Sequence, residues 1–242
     1  MRILINLSYN GKDFMGFQHQ PNARTVQGEI ENILSEMHQT FTRIHPASRT
    51  DRGVHAMDQY IHFDTTLDIA PERWAYILNT RLDDDVYIKS SKAVSDDFHA
   101  RYQPSKKTYR YKIYTGEPNP FNYGLKLHTH KELDIAKMRN AAAKFTGTHD
   151  FTSFSSAKAS IENKVRQITV CHIEETLDGM ELVITGSGFL YNMVRIIVAY
   201  LLQVGAGERP DETLKILEAK DRTLVSRTAP PDGLYLEKII YE

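Results

Sequence analysis

Cysteine is nearly absent from this sequence: Cys171 is the only one in 242 residues. A single thiol cannot form an internal disulfide framework or a zinc site built from cysteine ligands. We therefore expect a reducing, cytoplasmic setting. Long apolar runs are also missing, because the longest, residues 193–204, contains Arg195 and Gln203. This run is shorter than the roughly 20 residues that span a bilayer, so it predicts a buried helix and no membrane association.

Motifs for common cofactors and metals are missing as well. No glycine-rich phosphate loop of the P-loop or Rossmann type occurs. Residues 186–188 read GSG before a predicted helix, but a close turn into that helix is a simpler interpretation than an anion site. The ten histidines, among them His55, His99 and His149, match no HExxH-like spacing. We expect structural and hydrogen-bonding roles for them, with no metal and no cofactor.

The net charge of −1 does not show the basic excess that is typical of nucleic-acid-binding proteins. The charges are nevertheless unevenly distributed. Residues 101–112 contain five lysines and arginines with three tyrosines interleaved, whereas aspartates cluster at 83–85 and 96–97. This pattern fits either a local basic patch or the solvated face of a strand.

Residues 48–56 read SRTDRGVHA and place Asp51 between Arg49 and Arg52, with a glycine next. Thr, Asp and Gly favour turns, so this segment predicts a short ordered loop between two strands. The two arginines favour the ionised carboxylate, which suits a nucleophile or general base. Taken alone, the pattern fits equally well a surface turn with a local salt bridge worth roughly 0–1 kcal/mol.

The order of predicted elements gives an α+β fold. We expect two similar α/β subdomains, residues 1–100 with the Asp51 loop and residues 101–242 completing a central cleft. No linker rich in Gly, Pro or Ser separates them. The predicted strands are 2–9, 86–94, 107–114, 165–176, 180–186 and 234–240, besides those flanking the Asp51 loop; the predicted helices are 25–39, 71–79, 133–145, 189–204 and 211–219.

Two further residues can carry chemistry. Arg195 lies in an almost wholly apolar helix, where a guanidinium needs a partner. Asp51 is one such partner, and extension of Arg195 to solvent is the alternative. Tyr109 lies in a strand with basic neighbours, and a tyrosine in a cleft can stack on a nucleobase. The alternative is that Tyr109 is an ordinary residue of the protein core.

The motif at residues 48–56 resembles the signature GRTDxGVHA of the TruA-type tRNA pseudouridine synthases, with Ser48 in place of the first glycine. The opening segment 9–20 resembles YDGTxFxGWQxQ, with Asn10 for Asp and Phe17 for Trp. Five more blocks follow in family order over nearly the whole chain: FHAR at 98–101, KTYRY at 107–111, THDFTSF at 148–154, FLYNMVR at 189–195 and DGLYL at 232–236.

The resemblance implies the pseudouridine synthase fold, with one continuous, mainly antiparallel sheet through both halves. It implies isomerisation of uridine to pseudouridine in tRNA, at positions 38–40 of the anticodon arm, by a cytoplasmic homodimer without cofactor. Asp51 would be the catalytic carboxylate, and Arg49, Tyr109 and Arg195 would bind the substrate. The same residues leave three roles open for Asp51: attack at C6, attack at C1′, or proton abstraction at C2′.

Two other classes of function stay open at this point. One is an RNA-binding or tRNA-folding protein without turnover, or a synthase that acts on another RNA. The other is a small-molecule hydrolase that uses Asp51 as its nucleophile. The hydrolase would need a second catalytic carboxylate or an oxyanion-binding device, and the sequence shows neither.

Overall fold

The computed structural model of the protein describes residues 1–157 and 161–241. The chain forms two compact units. The first comprises residues 1–105 together with the chain end from Tyr235, and the second comprises residues 106–234. The sequence prediction had assigned all of residues 101–242 to the second half, whereas the last strand packs within the first unit.

The described residues form strands and helices in an α+β order. The strands are β1 (Arg2–Tyr9), β2 (His45–Pro46), β3 (His55–Asp64), β4 (Val86–Val94), β5 (Pro104–Tyr114), β6 (Leu127–His128), β7 (Gly147–Asp150), β8 (Val165–Thr176), β9 (Gly179–Gly186) and β10 (Leu234–Tyr241). The helices are α1 (Val26–His38), α2 (Arg73–Asn79), α3 (Ile135–Ala143), α4 (Met193–Gly205) and α5 (Thr213–Ala219).

The sheet of the first unit has the order β4-β1-β3-β10, with β2 paired to β3. Strand β1 runs antiparallel to both β3 and β4, whereas β10 runs parallel to β3. Ile3 and its partner Phe63 are fully buried, and the Phe63 ring contacts Trp74 of α2 at 5.0 Å. Because side chains alternate along a strand, Leu4 and His62 point to the opposite face of the sheet.

Helix α1 begins and ends as its sequence predicts. The Thr25 hydroxyl accepts a hydrogen bond from the Gly28 amide at 3.1 Å, which satisfies one of the unpaired N–H groups of the first turn. The helix ends at Gln39, which adopts a left-handed conformation with φ +53°. Helix α2 begins at Arg73 and not at the predicted Pro71, which lies in the turn before it.

The sheet of the second unit has the order β5-β9-β8-β7, antiparallel throughout, with the short β6 added parallel to β5. In the β8–β9 hairpin Thr176 pairs with Gly179, so the turn is formed by Leu177 and Asp178. The prediction had centred it one residue later. Gly179 belongs to the strand, where a Cβ atom would lie 2.1 Å from the Ile113 carbonyl oxygen.

Helix α4 begins four residues later than predicted. Asn192 has a left-handed backbone with φ +59°, which interrupts a helix that would otherwise include Phe189. From Met193 onward the helix is buried on nearly all sides, and it packs against α3. The predicted α+β class with a large, mainly antiparallel sheet is confirmed. Among the described residues, no helix is both long enough and apolar enough to cross a membrane.

Candidate active site

The Asp51 loop, residues 47–54, connects β2 to β3, as the sequence predicts. Asp51 is half-buried, and Arg49 and Arg52 on either side of it are exposed. The Val54 amide donates to the Asp51 carbonyl at 3.1 Å, which closes a tight turn. Within that turn Gly53 has φ +76°, a conformation that side chains disfavour. The turn therefore needs the glycine that follows Asp51 and Arg52 in the sequence.

Backbone hydrogen bonds attach this loop to the segment that follows β1. The Phe17 amide donates to the Thr50 carbonyl at 3.1 Å, and the Gly53 amide donates to the Phe14 carbonyl at 3.2 Å. A buried hydrogen bond of 2.7 Å joins the hydroxyls of Tyr9 and Thr50. The two sequence motifs that carry the family resemblance in this half, residues 9–20 and 48–56, therefore pack together. Their contacts hold the backbone on both sides of Asp51.

Two glycines allow this close approach. A Cβ atom on Gly11 would lie 1.9 Å from the Val54 carbonyl oxygen, which no side chain can occupy. Gly16 has φ +106°, and a Cβ atom there would lie 3.2 Å from the Thr50 carbonyl oxygen and 3.3 Å from the Arg52 amide. Backbone thus packs directly on backbone around Asp51. Such a loop is positioned before any substrate binds, which is the arrangement that catalysis favours.

Side chains support both ends of the loop. The Gln59 amide accepts a hydrogen bond from the Ser48 N–H at 3.2 Å and donates to the Ser48 carbonyl at 2.8 Å. Downstream, His55 is buried and its Nδ1 accepts from the Gly11 amide at 3.1 Å. Its ring stacks on Tyr235 of β10 at 4.5 Å. The structural role expected for His55 is therefore confirmed.

The charge around Arg49 is positive. Partial removal from solvent lowers the pKa of Arg49, and the positive charge of Arg101 lowers it further. The guanidinium remains protonated at any physiological pH because its ordinary pKa exceeds 12. Arg49 and Arg101 thus offer two forked sets of donors close to the Asp51 loop, which suits recognition of phosphate.

In the second unit, Tyr109 lies on β5 opposite Ile184 of β9 and is 8% exposed. Its ring meets Phe189 edge to face, with centroids 4.9 Å apart, so its orientation is fixed by packing. The next residue, Arg110, points to the other face and forms ion pairs with Glu174 at 2.8 Å and Glu181 at 2.6 Å. The basic stretch that the sequence shows is thus partly neutralised.

Arg195 is the third residue of α4 and is half-buried. Its Nε donates to the Ala229 carbonyl at 2.7 Å, and its Nη1 donates to the Asn192 side-chain oxygen at 2.9 Å. The Ala229 amide in turn donates to the Arg195 carbonyl at 3.0 Å. The guanidinium is therefore held on a defined side of the helix. Its pairing with Asp51 stays a prediction.

The structure brings together three histidines that sequence spacing did not relate. His45 and His62 are directly opposite in the β2–β3 pairing, and their rings stack at 4.9 Å. His99, in the turn after β4, meets the His62 ring at 4.7 Å. One nitrogen of each ring lies within 4.8 Å of the others. The cluster joins residues far apart in sequence, so its prediction requires both the β2–β3 register and the fold of the turn after β4.

Comparisons with known proteins agree with the sequence motifs. The model of the tRNA pseudouridine synthase family matches residues 7–103 and 141–242. Proteins named tRNA pseudouridine synthase A from Staphylococcus saprophyticus, Staphylococcus carnosus and Staphylococcus aureus strain Newman are 52%, 53% and 51% identical over 241 residues. In each case the match covers 99% of this chain and 90% of the relative.

A solved structure, the archaeal box H/ACA sRNP Nop10-Cbf5 complex, is a distant match with a TM-score of 0.34 and 12% identity. It covers 83% of this chain and 44% of the other. The family model and the relatives at about half identity cover both motif-bearing regions, including the Asp51 loop and the segment packed against it. The chain therefore belongs to the tRNA pseudouridine synthase family of RNA-modifying isomerases.

Proposed function

We propose that this protein converts uridine to pseudouridine in the anticodon stem-loop of tRNA, at positions 38–40, with Asp51 as the catalytic carboxylate. The observation that carries the proposal is the Asp51 loop itself. It combines the family signature with a backbone held by residues 11–17, a degree of order that a solvated surface turn does not require. The relatives' names supply the tRNA substrate.

The reaction breaks the C1′–N1 glycosidic bond and forms a C1′–C5 bond, while a proton leaves C5 and N1 gains one. The reaction involves no net oxidation or reduction. It therefore requires a positioned substrate and a carboxylate, but no redox group. An ionised Asp51 can attack C6, attack C1′ or remove a proton at C2′. Each role requires Asp51 to be held at a fixed distance from the reacting atom of the nucleoside, and the ordered loop supports this.

Arg195 is proposed to orient Asp51 and keep it ionised. A guanidinium has five N–H donors, and the contacts with Ala229 and Asn192 use two of them. Those two bonds fix the plane of the group, so the directions of its other N–H bonds are fixed as well. An arginine in this position stabilises the charged form of Asp51 throughout the reaction.

Tyr109 is proposed to stack on the target base and to assist the loss of the C5 proton. Stacking on an aromatic ring stabilises a bound base by roughly 1–3 kcal/mol. The contact with Phe189 keeps the Tyr109 ring in one orientation. Arg49 is proposed to hold the displaced backbone or to fill the space that the base leaves, because extrusion from a stack costs a few kcal/mol.

The proposal assigns Asp51, Arg49, Tyr109 and Arg195 to the same reaction. We further propose that the protein works in the cytoplasm as a homodimer. A chain of 242 residues has limited surface for a whole tRNA, and a second copy would supply the rest.

The experiment is to incubate unmodified tRNA with the purified protein and with Asp51→Ala, and then to map pseudouridine by position. New pseudouridine at positions 38–40 with the wild type, and none with the variant, supports the proposal. Pseudouridine elsewhere in tRNA would overturn the assigned position. Binding of tRNA without modification would favour the tRNA-folding alternative, and ribosomal RNA would be the next substrate to try.

A further inference from the structure

The turn that follows β4, residues 98–102, lies over the sheet face opposite α1 and α2. Two backbone amides of this turn bond to imidazole rings. The Ala100 amide donates to Nδ1 of His62 at 3.2 Å, and the Arg101 amide donates to Nδ1 of His99 at 3.1 Å. An imidazole nitrogen that accepts a hydrogen bond carries no proton, so each of these neutral rings has its proton on Nε2.

These tautomers decide what the histidine cluster can bind. A zinc ion needs an unprotonated nitrogen from each ring, and Nδ1 of His62 and His99 is already bound to backbone N–H. Zinc–nitrogen bonds of about 2.1 Å in a tetrahedron also require ligand atoms about 3.4 Å apart, whereas these nitrogens are separated by up to 4.8 Å. The cluster presents N–H donors, which suits an anion better than a cation.

The guanidinium groups near the cluster also favour binding of an anion. Arg49 and Arg101 are exposed, and within residues 1–157 and 161–241 neither forms an ion pair with a carboxylate. Partial removal from solvent, followed by the positive charge of Arg101, lowers the pKa of Arg49. Arg2, by contrast, is held by both oxygens of Asp64 at 2.8 and 2.9 Å. Two uncompensated like charges beside imidazole N–H groups form a surface that an anion would stabilise.

An exposed aromatic ring completes this surface. Tyr102 is 77% exposed, although its ring contacts that of His99 at 4.4 Å. His99 in turn rests on His62, which is buried in the sheet. Tyr102 is therefore supported from beneath while most of its ring surface faces solvent. Supported, exposed aromatic rings next to cationic groups are typical of proteins that stack single-stranded bases.

We propose that Arg101, His99 and Tyr102, beside Arg49, form a subsite for one RNA nucleotide other than the target uridine. Arg101 and the Nε2–H of His99 bind its phosphate, and Tyr102 stacks on its base. The subsite rests on the proposed function, which supplies RNA as the ligand. It assigns the FHAR segment, residues 98–101, a direct role in holding the splayed strand next to the Asp51 loop.

The test measures the Kd of unmodified tRNA for the wild type, Arg101→Gln and Arg73→Gln over a range of salt concentrations. Arg73 is the matched control, an exposed arginine of the same unit on α2, which packs on the other face of the sheet. We expect Arg101→Gln to raise Kd about tenfold. It should also reduce the slope of log Kd against log salt concentration by the equivalent of about one phosphate contact. Arg73→Gln should leave both Kd and this slope unchanged.

Two further variants separate charge from stacking. Arg101→Lys should recover part of the lost affinity, because it restores the charge without the forked geometry. Tyr102→Leu should raise Kd about tenfold without changing the salt slope. In turnover assays the change for Arg101→Gln should fall on KM, with kcat altered by less than about twofold. Equal Kd values for Arg101→Gln and Arg73→Gln, or a loss confined to kcat, would overturn the subsite.

Additional probes identify the ligand. Inorganic phosphate at matched ionic strength should compete with tRNA only at millimolar concentration; saturation at micromolar concentration would mean a free-anion site and overturn the RNA subsite. Stoichiometric binding of Zn²⁺ that His99→Gln abolishes would overturn it in favour of a metal site. The proposed function fails separately: a wild type that makes no pseudouridine, while Arg101→Gln still weakens RNA binding, contradicts the function and leaves the subsite standing.

Discussion

In the first unit, Asp51 lies on an irregular loop whose position depends on backbone contacts with Gly11, Phe14 and Phe17. In the second unit, Tyr109 and Arg195 lie on a regular strand and a regular helix. The sheet ladder or the helix holds the backbone of those two residues through many equivalent hydrogen bonds. The loop depends on a few unique ones. A single methyl group added at Gly11 should therefore displace the backbone next to Asp51.

Gly11→Ala changes a residue that packs directly on the Asp51 loop, and of the variants proposed here it should lose the most stability. The new Cβ atom would lie 1.9 Å from the Val54 carbonyl oxygen, so the backbone next to Asp51 must move. We expect a decrease of roughly 3 kcal/mol in the free energy of unfolding. Denaturant unfolding measures it, and turnover should fall even at temperatures where the variant is folded.

Gly188→Ala is the control for this change. A Cβ atom there would meet only Arg166 side-chain atoms at 3.8 Å, an ordinary contact. Its stability should change by less than about 1 kcal/mol. Equal stability losses for the two variants would show that the loop is no more sensitive than the rest of the chain.

Tyr109→Phe tests the second arrangement while leaving the backbone and the packing with Phe189 in place. The variant keeps the ring and so should keep stacking and RNA affinity. It removes the hydroxyl that is proposed to assist proton loss at C5, and general acid–base assistance is typically worth about 10²-fold or more in rate. Single-turnover kinetics with saturating protein measures the change. Weaker RNA binding with unchanged turnover would contradict this role.

Acid should destabilise the first unit at a higher pH than the second. Burial, followed by the charges of His45 and His99, lowers the pKa of His62 to about 4. The unfolded chain, with an ordinary pKa near 6.5, binds this proton more readily between pH 6.5 and 4. Stability is therefore full above pH 6.5 and is lost progressively toward pH 4, by about 3 kcal/mol.

In the second unit the sign is the same but the pH range is lower. The hydrogen bond from Lys126 lowers the pKa of Asp178 below its usual value, so that contribution is lost only in more acidic solution. Denaturant unfolding at pH 7 and pH 5 measures the difference for the whole chain. His62→Gln, which keeps an acceptor for the Ala100 amide, should flatten the pH dependence in this range. An unchanged pH dependence in the variant would assign the acid sensitivity to other groups.

Local sequence patterns predicted the regular elements of both units well, because their causes are local. The apolar alternation of β1 and the Thr25 cap of α1 are examples. The errors occurred where a distant contact decides the geometry. Gly179 looked like a turn residue, but it is required in β9 because the Ile113 carbonyl approaches it closely.

The same distinction holds for the site. The motif at residues 48–56 predicted a loop with Asp51, and the structure confirms the loop. The sequence could not show that Gly11 and Gly16 permit its packing, since nothing local distinguishes them from other glycines. Nor could it relate His62 to His99, because their contact depends on how the turn after β4 folds back on the sheet.

The most direct measurement compares Asp51→Asn with Asp64→Asn in pseudouridine formation and in tRNA binding. Both changes replace one carboxylate of the first unit by a neutral amide of the same shape, and Asp64 is an exposed partner of Arg2. We predict that Asp51→Asn binds unmodified tRNA with nearly wild-type affinity and forms no pseudouridine, while Asp64→Asn retains activity. Pseudouridine formation by Asp51→Asn at the wild-type rate would contradict the assignment of Asp51 as the catalytic carboxylate.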